Sequence, residues 1–139
     1  MTDFTLDPQL AKDCTTLFDL PLSRVLLLND ANYPWLILVP RVAHCKEIID
    51  LSAEQQECLW QESAKVSQVL QALFKPDKLN IAALGNVVAQ LHLHHIVRYR
   101  SDISWPKPVW GQHPAKPYDE VQMHERCMQI AAQLQDLTF

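Results

Sequence analysis

Gln90-Leu91-His92-Leu93-His94-His95-Ile96-Val97-Arg98 carries three of the chain's six histidines within four positions, inside a run of aliphatic residues. An extended strand sends successive side chains to opposite faces and advances about 3.3 Å per residue. Gln90, His92, His94 and Ile96 therefore share one face, and Leu91, Leu93, His95 and Val97 the other. The second set has the character of a core-facing surface. The first places two imidazoles and an amide in a row, neighbours roughly 6.6 Å apart, and candidate chemistry belongs there. His95 falls among the apolar positions and reads as a core-side residue.

The neighbouring sequence supplies partners for that strand. Lys78 to Leu84 reads as a strand, joined to the histidine stretch through a turn at Gly85-Asn86. Further upstream, Ser52-x-x-Gln55 forms a capping box that opens a long helix. Leu59, Val66, Leu70 and Leu73, with Trp60, Ser63, Val69 and Phe74, keep one side of it apolar until Pro76. Ser23 to Leu28 and Trp35 to Val39 read as an antiparallel hairpin around the turn Asn29–Pro34. Arg41 to Asp50 is a loop or short helical turn, with His44 at the surface. Asp7-Pro8 resembles a helix start, and Leu10, Cys14, Leu17 and Phe18 continue it at helical spacing as far as Pro21. After the histidine strand, Trp105-Pro106-Lys107-Pro108-Val109-Trp110-Gly111 is too rich in proline for a regular element. A final helix is expected over Pro117 to Leu137, with Tyr118, Val121, Met128, Ala131 and Leu134 as its apolar stripe. The elements make one α+β domain over residues 1–139, with no repeat and no internal linker.

Composition narrows the function. At 139 residues the chain is long enough to bury a real core. Its net charge of −4 argues against a nucleic-acid polymer as the main partner, which calls for a basic surface, while leaving room for a small phosphate ligand. The four cysteines are scattered without a C-x-x-C pair, which disfavours a zinc ribbon or a disulfide framework. No apolar run approaches the ~18 residues of a membrane span. Met1-Thr2-Asp3-Phe4 lacks the basic start and apolar segment of a leader. A reduced, cytoplasmic setting without membrane partners is the expectation.

Three readings compete for the histidine row. The rings can be half-buried structural groups with paired nitrogens. They can ligate a metal, since His-x-His on a strand suits zinc and His44, His113, His124 or a carboxylate could add a ligand; but none of these lies in a ligand motif and Gln90 is a poor zinc ligand. Lastly, a neutral imidazole is a good nucleophile toward an activated phosphoryl centre, and the phosphohistidine is labile enough for water to finish the cycle. That chemistry needs a central nucleophile flanked by donors that neutralise the phosphoryl oxygens. Gln90, His92 and His94 on one face have this layout.

The stretch from Gln90 to Arg98 resembles the signature of the histidine triad (HIT) superfamily, His-φ-His-φ-His-φ-φ with φ apolar. Gly85-Asn86-Val87-Val88-Ala89-Gln90-Leu91-His92 is similar to the turn and strand entry before that motif. The Gln-Leu-His start and the Trp-Pro-x-Pro-Val-Trp-Gly tail further resemble a bacterial, diadenosine-tetraphosphate-hydrolase-like subgroup. The resemblance spans roughly residues 20–112, leaving the Trp/Pro arm and helix of 103–137 as an appendage. It implies an antiparallel sheet of about five strands with one long helix packed on it and terminal helices. It also implies a nucleotide hydrolase or transferase that acts at an α-phosphorus through a covalent nucleotidyl-histidine. His92 would be the nucleophile, and His94 would contact the phosphate and pass a proton. Asn29, Asn80, Asn86 and Arg98 would bind substrate, a nucleotide or dinucleotide. Neither a cofactor nor a metal is called for, and a homodimer is implied.

Two departures bear on activity. Gln90 replaces the first triad histidine and carries no titrating proton, and Val87 stands where the family often has Ser or Thr. Slow turnover, or a nucleotide-binding module with faded catalysis, is the alternative these changes suggest. Trp105 and Trp110 are open to three roles: covering a nucleotide pocket, meeting a partner subunit, or packing in the core.

Overall fold

The computed structural model describes residues 3–139, so the reading of Met1-Thr2 as free of a leader lies outside them. In chain order the elements are α1 (Pro8–Asp13), β1 (Cys14–Asp19), β2 (Ser23–Leu28), β3 (Trp35–Pro40), α2 (Ala53–Phe74), β4 (Lys78–Ala82), β5 (Leu93–Arg98) and α3 (Glu120–Gln135). The strands form one antiparallel sheet in the order β1-β2-β3-β5-β4. The expected α+β architecture, five strands with a long helix and terminal helices, is the one observed.

Strand parity divides the interior. Leu36 and Leu38 of β3 join Leu93 and Val97 of β5 in the larger core under α2. Trp35, Ile37 and Val39 face the opposite way and pack with Leu10, Ile96, Val88 and Val109. Central strands covered on both faces read as unbroken apolar runs, which is why β3 is buried along its length. Helix α2 sits on the first face through Leu59, Val66 and Leu70, each fully buried and worth roughly 1.5–3 kcal/mol. Its capping box is present: Ser52 Oγ accepts from the Gln55 amide at 3.1 Å, and Gln55 Oε1 accepts from the Ser52 amide at 2.9 Å. Lys75, left-handed at φ 46°, ends it before Pro76. Trp60 is not on its inward side as expected but half exposed, and Glu62 is buried in its stead. The Glu62 carboxylate accepts from the amides of Leu22 and Ser23 at 2.7 and 3.1 Å, tying the helix to the β1–β2 turn.

Three further expectations change. The helix at Asp7-Pro8 stops at Asp13, and Cys14–Asp19 is the fifth, edge strand. A register shift between Thr16 and Phe18 turns both Leu17 and Phe18 toward the main core, and that irregularity produced the helix-like spacing. In α3 the inward residues are Met123, Cys127, Ile130 and Leu134, whereas Val121 and Met128 are exposed. Finally, β5 begins only at Leu93, so Gln90, Leu91 and His92 precede the ladder.

Candidate active site

Ahead of β5 the backbone is held by the Leu91 amide, which donates to the Cys45 carbonyl at 2.9 Å. That anchor sets His92 at the strand entrance, with its ring 4.8 Å from the His94 ring in an edge-to-face arrangement. His92 Nδ1 lies 2.7 Å from the Gln90 carbonyl oxygen. A carbonyl only accepts, so Nδ1 carries the proton and Nε2 keeps its lone pair. Among the described residues no protein group bonds that Nε2. Gly85 makes room for the ring: a Cβ there would stand 2.9 Å from His92 Cε1 and 2.7 Å from the Val88 carbonyl oxygen.

His94 is constrained at both nitrogens. The Trp35 indole N–H, which only donates, reaches Nδ1 at 3.0 Å, and Nε2 donates to the Leu84 carbonyl at 3.0 Å. Burial, with the neighbouring His92 adding to it against the Leu84 hydrogen bond, pushes its pKa down to about 4. A ring so held is neutral near pH 7 and has no proton to give without breaking one of its two bonds, which argues against the proton-passing expected of it. His95 points to the other side of the sheet, as its parity requires. Its Nδ1 donates to the Leu93 carbonyl, and its Nε2 accepts from the Ser63 hydroxyl of α2 at 2.7 Å. It is a structural ring, its pKa likewise lowered to about 4 by burial.

A mainly apolar cavity of about 360 Å³ opens beside these rings, walled by Leu10, Leu28, Trp35, Ile37, Val88 and Trp110, with His92 and His94 at its edge. Gln9 and Asp13 of α1 add polar groups to its lining. A polar cleft of about 290 Å³ shares Gly85, Asn86 and His92 with it, and is otherwise lined by Lys46, Glu47 and Gln90 among others. His92 thus stands where an apolar pocket meets a polar one.

Of the residues expected to bind substrate, Asn86 lines both spaces. Asn29, Asn80 and Arg98 line neither. Arg98 is 1% exposed; four of its guanidinium donors go to Asp102 (twice), Asn80 and Ser104, and Tyr33 and Trp105 cover its faces. Asn80 Oδ1 is the acceptor in that cluster. Asn29 Oδ1 accepts from the Tyr118 amide and fastens the C-terminal arm. The Gln90 side chain turns away from His92: its Oε1 accepts from the Asp7 amide and its Nε2 donates to the Thr5 carbonyl, both at 2.9 Å. Trp110 closes the apolar cavity against His94 and Trp35, whereas Trp105 lies away from it, over the Arg98 guanidinium. Sequence reasoning missed Trp35, Gly85 and the α1 wall. Trp35 was the findable one, since it shares a face with Ile37, the cross-strand partner of His94. Among the described residues no three His, Cys, Asp or Glu side chains are grouped to hold a metal ion, and among them no helix is long and apolar enough to cross a membrane.

No curated protein matches the chain significantly. Among solved structures, a histidine triad protein from Marinobacter aquaeolei is 48% identical with a TM-score of 0.93, over 97% of this chain and 98% of that one. One from Bradyrhizobium japonicum is 45% identical with a TM-score of 0.91, over 94% and 97% of the two chains. A third, from Sinorhizobium meliloti, is 39% identical with a TM-score of 0.91, over 97% and 98%. Members of the HIT group are commonly nucleotide-binding hydrolases or transferases. Residues 9–101 match the family model for the HIT domain, and with this sheet, this motif and these neighbours the chain belongs to the HIT domain family.

Proposed function

We propose that the protein hydrolyses or transfers nucleotides by forming a covalent nucleotidyl-histidine at His92. The observation that carries this reading is an imidazole whose Nδ1 proton is fixed on the Gln90 carbonyl and whose Nε2 is free, at the rim of a nucleoside-sized apolar cavity. The nucleobase fits between Trp35, Trp110 and the aliphatic wall. The phosphates then extend past His92 toward Asn86 and Lys46 in the polar cleft.

His92 Nε2 attacks the α-phosphorus, the N–P bond forms, and the bridging P–O bond breaks with its electron pair on the departing group. The Gln90 carbonyl supports the positive charge that builds on the ring. Water then attacks the same phosphorus, the N–P bond breaks back to Nε2, and the water proton leaves to solvent. With His94 neutral and doubly bonded, and Gln90 without a titrating proton, no imidazolium stands ready to protonate the leaving group. That favours a weakly basic leaving group, such as a polyphosphate chain, over an amine. Dinucleoside polyphosphates are therefore preferred to nucleoside phosphoramidates within this reading. The homodimer that the family resemblance implies, and the cytoplasmic setting expected from the cysteine pattern and the N-terminal sequence, go with it.

The test is incubation with diadenosine polyphosphates and with adenosine phosphoramidate, followed by intact mass measurement and assay of released AMP. An acid-labile adduct and turnover, both absent in His92→Ala, are expected, with the polyphosphate turned over faster. Tight nucleotide binding with neither adduct nor turnover favours the second reading, a binding module, for which the outward turn of Gln90 and the locked His94 are the motivating observations.

A further inference from the structure

The α1 wall of the apolar cavity has little to hold it in place. Six residues make fewer than two helical turns, well below the ~12–15 at which an isolated helix becomes even marginally stable in water. Yet Leu10 of α1 is 6% exposed and packs into the core beside Trp35 and Ile37, and Gln9 and Asp13 face the cavity with it. On its C-terminal side the helix is anchored through the Asp13 carbonyl, which accepts from the Asn29 amide at 3.0 Å. On its N-terminal side the Asp7 carboxylate caps the first turn through the Gln9 amide. What joins that end to the rest of the molecule in a polar way is the Gln90 amide. It takes one donor and gives one donor to the backbone at Asp7 and Thr5, both at 2.9 Å, across more than eighty residues of sequence. An amide group fits this task because it carries an acceptor and a donor side by side; an imidazole cannot offer both to one backbone segment in that geometry.

We infer that Gln90 is a positioning residue: it buckles the N-terminal arm against the strand entrance, and so sets the nucleoside-binding wall made by α1. This rests on the nucleotide reading of the apolar cavity. It gives the departure from the triad pattern a role, because the side chain at this position acts on the nucleoside end of the substrate through the arm. Gln9 and Asp13 then determine specificity. Asp13 Oδ2 accepts from Gln9 Nε2 at 2.7 Å, which fixes a carboxylate and an amide in relation to each other. A carboxylate in the cavity lining repels phosphate and suits hydroxyl donors, so the ligand group placed there is a sugar diol.

The inference is tested with Gln90→Ala and Gln90→Glu, using adenosine and AMP as probes and amide hydrogen exchange as the structural readout. In Gln90→Ala the Asp7 amide, and the Ala11 amide that donates to the Asp7 carbonyl at 3.0 Å, should exchange at least about tenfold faster, while amides of β5 keep their protection. Adenosine and AMP should weaken by the same factor, roughly tenfold, because the contact that is lost does not involve phosphate. Where adduct formation is measurable, KM should rise with little change in kcat. Gln90→Glu keeps the acceptor for the Asp7 amide and loses the donor to Thr5, so its Asp7 exchange should lie between wild type and alanine. Unchanged exchange at Asp7 overturns the inference. So does weakening of AMP with adenosine untouched, which makes Gln90 a phosphate ligand. If wild type binds neither adenosine nor AMP, the nucleotide reading fails by itself, and exchange at Asp7 and Ala11 alone decides whether the buckle exists. Protection of β5 amides in each variant guards against misfolding, and Gln90→Glu serves should the alanine variant fail to fold.

Discussion

Trp35 decides what His94 can do. Its indole N–H donates to His94 Nδ1, and protonating that nitrogen would place two donors against each other. In Trp35→Phe the opposing donor is gone while most of the burial stays. The His94 pKa should therefore rise from about 4 toward, without reaching, the ordinary histidine value near 6.5. Ring-nitrogen shifts followed by NMR titration read this directly, and an unmoved midpoint would show that burial alone holds the ring neutral. The same residue marks how far single side chains were legible. Alternation along Leu91–Val97 correctly sent His94 and His95 to opposite faces, because a strand period of two leaves no freedom there. Hydrogen-bond partners followed no such rule. Asn80 and Arg98 satisfy each other across neighbouring strands, at register positions Asn80↔Ile96 and Lys78↔Arg98, and nothing local in the sequence announces that Asp102 closes on the same guanidinium. Gln90 found its partners in a segment eighty-odd residues away.

At the scale of elements, α2 and β5 meet through one polar contact as well as through aliphatic packing. The Ser63 hydroxyl donates to His95 Nε2 at 2.7 Å in a fully enclosed setting. Ser63→Ala leaves that ring nitrogen buried without a donor, a loss of about 1–3 kcal/mol. Urea denaturation should show the lower midpoint with an unchanged slope, while nucleotide binding stays at the wild-type level, since Ser63 lies across the sheet from His92. A loss of binding at full stability would instead tie His95 to the site. Elements with strong local signals were legible in advance: the capping box at Ser52, the stop at Pro76 and the hairpin of β2 and β3. Those read wrongly were short or irregular. Cys14–Asp19 carries a register shift that mimics helical periodicity, and pairing with β2 outweighs a weak local preference. In α3 two overlapping stripes were available, and contact with β1 and α2 selects the one through Met123, Cys127 and Ile130.

The molecule as a whole folds around two neutral imidazoles, and that makes its stability depend on pH in a definite direction. His94 and His95 both have pKa values near 4 when folded, against about 6.5 in an unfolded chain. Between those limits the unfolded state binds more protons, so stability is fully present above about pH 6.5 and falls as pH drops toward 4. Each ring accounts for roughly 3 kcal/mol across that window. The pair is therefore comparable to the lower end of the ~5–15 kcal/mol that holds a typical domain together. Glu62 works the other way, since burial raises its pKa against the hydrogen bonds from Leu22 and Ser23, and its proton uptake on acidification offsets part of the loss. Asp19, Asp50 and Asp102 have lowered pKa values, so the stability they contribute is lost below their ordinary value near 3.8, outside the histidine window. Urea denaturation at intervals from pH 7 to pH 4 should thus show a steep decline beginning near 6.5. The slope should be roughly halved in His95→Leu, where one of the two titrating rings is gone. A flat profile down to pH 4.5 would mean that the rings take up protons without unfolding the sheet, and that neither is held as the hydrogen bonds to Trp35 and Ser63 require.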